Sequence, residues 1–264
     1  MVDSVDDVVA FSSRGPCANG RRKPDLIAPG TFILSTRSSQ IAPNNFSWAA
    51  FPPAKDHYMF MGGTSMATPL VAGSAALARE YLRQKKNILQ PSAALLKAVL
   101  IHSAQYIRYR YPHPSSSSSA DNEQGWGRIK LSSVLAPAPP TRLIFHDESN
   151  GLTTGGERSF VVTVSDSSVP LRATLVYSDF PSDGSVNGAL VNNLNLIVLD
   201  PNGKFYLGND FKQSGTPDRV NNVEGVIIDS PKTGQWTVKI VASEVQEGEQ
   251  GFALVVSAGG LSPA

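Results

Sequence analysis

The chain has 264 residues, enough for one large domain or two ordinary ones, and its 41% hydrophobic and 17% charged residues describe a globular rather than a disordered protein. Its formal net charge is +1 with no long run of one sign, which excludes an electrostatic footprint for nucleic acid or an anionic membrane surface. Cys17 is the only cysteine, so an intrachain disulfide and a cysteine-built zinc site are both excluded.

In chain order, Met1 is followed by Val2-Asp3-Ser4-Val5-Asp6-Asp7, which has neither the positive start nor the apolar core of a signal peptide. Val8-Val9-Ala10-Phe11 and Asp25-Leu26-Ile27-Ala28 are short, apolar and strand-like, each ending in a Gly/Pro turn. The basic clusters Arg21-Arg22-Lys23 and Lys85-Lys86 read as solvated surface. Residues 64–82 carry a long helical pattern in which Ala67, Val71, Ala72, Ala75, Ala76, Ala78 and Leu82 cover most of the circumference. That pattern predicts a buried helix, with Pro69 in its first turns where a missing N–H does least harm. Leu95, Leu96, Val99 and Leu100 predict a second helix over 92–103, started by Pro91 and Ser92. Ser115 to Ser119 is a low-complexity surface loop. No apolar stretch approaches the length of a membrane span.

The composition changes near residue 137, where Ala136-Pro137-Ala138-Pro139-Pro140 predicts a stiff, extended connection. The expected division is residues 1–136, a linker at 137–141, and 142–264. In the last part, residues 159–164, 171–177, 194–199, 226–228, 235–241 and 252–257 read as strands, and Asp200-Pro201-Asn202-Gly203 as a turn between two of them. Six or more strands in about 120 residues predict a β-sandwich.

The chemically loaded stretch is Met61-Gly62-Gly63-Thr64-Ser65-Met66-Ala67-Thr68-Pro69. A serine nucleophile needs open approach and nearby positive charge, and the first turn of a helix supplies both through unpaired N–H groups. A bare Gly-x-Ser is also what an ordinary helix cap looks like. The Gly-x-Ser-x-Gly elbow is a third reading, but Ala67 stands where it needs glycine and no strand is expected to lead into the serine.

The whole nine-residue stretch closely resembles the serine motif of the subtilisin-like proteases. Two further signals resemble that family in order and spacing. Phe11-Ser12-Ser13-Arg14-Gly15-Pro16 with Lys23-Pro24-Asp25-Leu26-Ile27-Ala28-Pro29-Gly30 precedes the serine, and Gly125-Trp126-Gly127-Arg128-Ile129 resembles the turn that closes the catalytic domain. Leu190 to Leu196, Tyr206 to Asp210 and Asn221 to Glu224 resemble the jelly-roll domain of bacterial alkaline members. The resemblance implies the C-terminal part of a parallel-sheet α/β domain followed by an all-β jelly roll. It implies a serine endopeptidase of protein or peptide substrates, with Ser65 as nucleophile and Gly62, Gly63 and Thr64 at the substrate and oxyanion. It also implies that the aspartate, histidine and oxyanion asparagine lie upstream of Phe11, so that this chain alone is inactive and its partner is the N-terminal half of the protease domain. Secretion is a further family expectation.

None of the local residues carries the mark of a substitute base. His57 belongs to the loop before the serine, His102 to the end of the second helix, and His113 and His146 to loops or the linker region. Asp56 beside His57 is suggestive only as a pair, and Asp25 is expected to fix a loop through backbone hydrogen bonds. Asp179, Asp183, Asn192, Asn193, Asn195, Asp200, Asn209, Asp210, Asp218, Asn221, Asn222 and Glu224 crowd strand ends, where they suit either Ca2+ or turn chemistry. No cofactor is required for the chemistry. The competing reading is a non-catalytic binding protein, which exposed Phe205, Tyr206 and Phe211 on one sheet face would favour. Without the upstream strands, the isolated chain is expected to associate or dissolve poorly.

Overall fold

The computed structural model describes residues 6–42, 44–45, 48–107, 120–182 and 190–264. His113, the serine run at 115–119 and Asp183 lie outside them. The chain is mostly β-sheet with few helices. A small antiparallel sheet comes first, formed by β1 (Ile33–Thr36), β2 (Ala49–Ala50) and β3 (Tyr58–Met61) in the order β1-β3-β2. Helices α1 (Thr64–Lys85) and α2 (Ala93–Ser103) follow, then the short α3 (Ser132–Leu135).

The rest is two antiparallel sheets. One has the order β4-β11-β6-β9, from β4 (Thr141–Leu152), β6 (Leu171–Val176), β9 (Val223–Ile228) and β11 (Gln250–Gly259). The other has the order β12-β5-β10-β7-β8, from β5 (Glu157–Val164), β7 (Asn192–Leu199), β8 (Phe205–Leu207), β10 (Gly234–Val245) and β12 (Ser262–Pro263). The six expected strands all form. Strand β4 escaped detection because Thr-Arg-Leu-Ile-Phe-His-Asp-Glu-Ser-Asn is too polar to read as a strand, and it carries His146, which was assigned to a loop or the linker region.

Period-two alternation explains the packing. Phe252, Leu254, Val256 and Ala258 of β11 face one core with Leu175, Leu196, Val198, Trp236, Val238 and Ile240, which lies between the two sheets. The alternate residues Ala253 and Val255 face a second core, shared with Leu95, Ala98, Val99 and Ile101 of α2. Strand β11 is therefore buried on both faces, and its near-continuous apolar run is what such a strand requires. The Asp200 turn behaves as its sequence predicts: its carboxylate accepts from Asn202 N at 2.8 Å and Lys204 N at 2.9 Å.

The helical part and the sandwich are joined by specific contacts. Ser92 caps α2 by accepting from Leu95 N at 3.0 Å, and Asp147 of β4 accepts from both Ser92 N (2.8 Å) and its hydroxyl (2.5 Å). Trp126 lies so close to Gly225 of β9 that a Cβ there would overlap its ring.

Three expectations fail in the first part. Residues 8–11 and 25–28 do not form strands; Ile27 makes only an isolated parallel bridge to Arg128. A strand needs a run of such pairings, and residues 126–129 supply only a short stretch beside 25–27, through Trp126 N to Asp25 O, Ile27 N to Gly127 O and Ile129 N to Ile27 O. Helix α1, expected to be buried, buries only Ala78 and Leu82, while Leu70 is 41% and Leu77 55% exposed. Val71 and Ala75 pack against the second core, but Ala72 and Ala76 meet no covering layer among the described residues. A strand does run into the serine turn, contrary to expectation, because the aromatic and apolar Tyr58-Met59-Phe60-Met61 pairs with β1.

Replacing Gly225 by alanine should displace Trp126, whose ring already packs on Phe211 with centroids 5.9 Å apart. The expected cost is about 1–3 kcal/mol, as for other overpacked sites. Equilibrium unfolding together with the tryptophan emission maximum checks this; unchanged stability and emission would refute the close packing of Trp126 on β9.

Candidate active site

Ser65 stands in the first turn of α1, two residues after Gly63 and four after the end of β3, and is exposed. The turn depends on Gly63. Its φ of 148° and ψ of 163° suit glycine, its N–H donates to Gly30 O at 2.7 Å, and its carbonyl accepts from Met66 N at 3.0 Å. The N–H groups of Thr64 and Ser65 precede that first bond of the helix, so the positive end of α1 is presented beside the Ser65 hydroxyl. Pro69 is the sixth residue of α1, beyond the free first turn, so its missing N–H is not harmless. In a regular helix that N–H would donate to the Ser65 carbonyl, which is left without its i+4 partner.

One flank of the turn is aromatic, which the sequence pattern did not reveal. A Cβ at Gly62 would overlap the Trp48 ring, and Trp48 makes edge contacts with Phe11 (centroids 6.2 Å) and Phe32 (5.1 Å). The residues concerned extend from Phe11 to Gly62, and no local periodicity links them.

Among the described residues, the structure does not bring a histidine to Ser65. His57 is exposed at the far end of β3, where its carbonyl accepts from Arg37 N at 2.7 Å. Five residues of extended chain separate it from Gly62, about 16 Å at strand spacing. Asp56 shares that end. His102 is buried between α2 and the sheet, its Nδ1 paired with the Thr174 hydroxyl (2.9 Å) and its Nε2 with that of Ser257 (2.8 Å). Desolvation first, then the charge of Arg172, holds His102 well below the usual histidine range, so it is a neutral structural residue. His146 stacks on Phe160 with centroids 3.9 Å apart. Asp25 fixes its loop differently from expectation. Its carboxylate pairs with Lys23 and with Lys97 Nζ (3.1 Å), while its backbone carbonyl accepts from Trp126 N at 2.9 Å.

Beside the serine turn runs a cavity of about 1020 Å³. Its walls include Val8, Phe11, Leu26 and Ile27 on one side, and Ala67 and Val71 of α1 on the other. This is the apolar face of α1 that lacks a covering layer.

The described carboxylates of the oxygen-rich sandwich loops are engaged in turns. Asp218 accepts from Val220 N (2.8 Å) and Asn221 N (3.0 Å), Asp210 from Ser214 N and Gly215 N (both 2.7 Å), and Asp179 from Phe180 N (2.9 Å) and Asn192 N (2.8 Å). These carboxylates do the work of turns. Among the described residues no group of three His, Cys, Asp or Glu is placed to hold a metal ion. Buried acceptors without a donor do remain at Asn193 Oδ1, Asn195 Oδ1 and Glu224 Oε1. The three aromatics do not share one exposed face: Phe205 is exposed, Tyr206 packs against the inner core, and Phe211 packs in the outer one.

Residues 1–127 match the subtilase family. The serine protease/ABC transporter B family protein tagB of Dictyostelium discoideum is 31% identical over 93% of this chain, which corresponds to 16% of that protein. Serine protease AprX of Bacillus subtilis is 49% identical over 28% of this chain and 16% of its own length. The chain thus spans about a sixth of the length of these curated relatives. Among solved structures, the Bacillus licheniformis lipase BlEst2 in propeptide form aligns with 44% of this chain and 22% of its own, at 16% identity and a TM-score of 0.29, too slight a likeness to bear on the fold.

Glu224 is 1% exposed. Burial first, and the nearby Asp218 charge, push its carboxyl well above the usual glutamate range, against the Leu196 N–H that donates to it at 2.8 Å. The folded chain therefore keeps this proton where the unfolded chain has released it, and stability should fall as pH rises from about 4.3 through the raised native value. Glu224→Gln, neutral throughout, should flatten that fall, so that the variant gains on the parent as pH rises. Melting temperatures of both across this range test it; parallel curves would show that Glu224 does not titrate in this way.

Proposed function

Over residues 1–127 the chain belongs to the subtilase family, and from that membership we propose that it carries the nucleophile of a serine endopeptidase, Ser65. The observation that supports this best is the exposed Ser65 in the first turn of α1, reached through the Gly62-Gly63 turn inside the matched stretch. The Ser65 Oγ attacks the scissile carbonyl carbon while a histidine takes its proton; the tetrahedral intermediate then expels the amine, which receives that proton, and leaves an acyl-enzyme. The Ser65 N–H donates to the developing oxyanion, an interaction worth about 2.7–4 kcal/mol where a single donor has been removed elsewhere. Gly62, Gly63 and Thr64 give the substrate backbone close approach.

The histidine, its aspartate and the oxyanion asparagine are assigned to a segment upstream of Phe11, because the four histidines of this chain include none beside Ser65 among the described residues. The same segment supplies the parallel strands and the covering layer for α1, with the apolar cavity beside that helix as their seat. In this reading residues 1–136 are the C-terminal portion of the catalytic domain, and 142–264, after the link at 137–141, are a jelly roll. The strand orders β4-β11-β6-β9 and β5-β10-β7-β8, with successive strands passing between the sheets except at the β7–β8 pair, support that label. The substrates are proteins or peptides, and the setting is extracellular. Among the described residues no helix is long and apolar enough to cross a membrane. No step is routed through a metal ion.

The experiment is to join the chain to the upstream half of a subtilase catalytic domain and assay peptide hydrolysis. The joined protein should be active, the present chain alone inactive, and Ser65→Ala in the joined protein should lower kcat about a millionfold, as when the serine is removed from a working triad. An alanine variant as active as its parent would remove Ser65 from the chemistry.

A further inference from the structure

The clearest unmet demand outside the serine turn is a small cavity of about 120 Å³ where residues 21–25 meet the loop before β9. Arg21, Arg22, Lys23 and Lys97 line it, with Asp25 as the one carboxylate in its wall and the Asn221 side chain beside it. The basic run Arg21-Arg22-Lys23 is thus not simply solvated surface. Four cations line the cavity with one anion, and the acids behind the wall, Asp179, Asp218 and Asp121, offset them without entering it.

Arg21 gives Nη2 to Asp179 at 3.0 Å, but its Nε is buried with no acceptor. Lys23 and Lys97 share the single Asp25 Oδ2. The Arg22 guanidinium lies over Trp126 (5.6 Å) and Phe211 (6.0 Å), and no described carboxylate is within ion-pair distance of it. The nearest acids, Asp218, Asp121 and Asp25, favour the Arg22 charge only through space, and the first two give their hydrogen bonds elsewhere: Asp121 accepts from Glu123 N, Gln124 N and Tyr106 Oη, and Asp218 from Val220 N and Asn221 N. Buried N–H donors and buried cations are costly when left in this condition.

We propose that this cavity is an anion site that takes a small oxyanion, with Arg22, Arg21 and Lys97 as its cationic wall. The planar forks of Arg21 and Arg22 suit the paired oxygens of phosphate, sulfate or carboxylate. The volume is well below the roughly 300–1,000 Å³ of drug-sized ligand sites, and accommodates one such group. Burial first holds both Arg22 and Lys97 below their usual ranges, with Asp218 and Asp25 respectively opposing it, and an anion between them would relieve that strain. Because the wall is drawn from residues 21–25, α2 and the β9 approach, the anion would tie the subtilase portion to the sandwich. The proposal does not rest on the role of Ser65.

Isothermal titration and thermal melting of the present chain with sodium phosphate, against sodium chloride at matched ionic strength, test it. Saturable phosphate binding and a rise in Tm beyond the chloride control are expected. Arg22→Met, which keeps an apolar stem on Trp126, and Lys97→Met should each weaken phosphate by about tenfold or more. Arg83→Met, on an exposed part of α1, should leave it unchanged. Sulfate and acetate distinguish the source: acetate binding as tightly as phosphate assigns the site to a peptide carboxylate, whereas preference for the tetrahedral ions assigns it to a free phosphate or sulfate. If all three ions act as chloride does, or if both methionine variants bind phosphate like the parent, the proposal is wrong. The parent titration decides even if the variants fail to fold, and proteolysis is not among the readouts.

Discussion

Strand β11 has apolar partners on both faces, and the placement of everything else follows from that. Its inward residues close the sandwich core, and its outward residues Ala253 and Val255 receive α2. Fully burying a side chain of valine or leucine size contributes about 1.5–3 kcal/mol. The second core uses many such residues, so α2 is held as firmly to the sheet as the sheet is to its partner. The helix carries with it Lys97, hence Asp25, hence the loop that pairs with Trp126.

Polar groups buried at this interface are handled in two ways. His102 is answered completely, with a hydroxyl at each ring nitrogen, and stays neutral. That arrangement lets a polar side chain sit against β11 at little cost, since a buried group is expensive only when a donor or acceptor is left unmade. The Arg22 side of the interface is answered incompletely, with aromatic faces in place of carboxylates. The same contact that secures the helical part therefore also concentrates positive charge.

The serine end of the molecule shows the opposite balance. Helix α1 has the composition of a core helix but the exposure of a surface one. The Gly63 turn keeps its geometry through local bonds to Gly30 and Met66, so the position of Ser65 is set without a layer covering the exposed face of the helix. On the reading proposed above, the attacking atom lies on this segment and its proton acceptor on another, so that apolar packing across the cavity beside α1 would matter as much as the serine turn.

Local information determined much of this chain by itself. The nine-residue serine motif, the Ser92 cap and the Asp200 turn each depend on neighbours a few residues away, and each appears where the sequence placed it. The six apolar strands were legible for the same reason, because period-two alternation is written into consecutive residues. The polar strand β4 was not, since its place is set by pairing with the distant β11, from Gln250↔Leu152 to Gly259↔Thr141. Likewise the failure of residues 8–11 and 25–28 to become strands, the neutral burial of His102, the Trp48 wall beside Gly62 and the cationic cavity around Arg22 depend on which surfaces meet. Those are properties of long-range contacts: tertiary structure alone decided which apolar residues found a cover, which charges found a partner, and which did not.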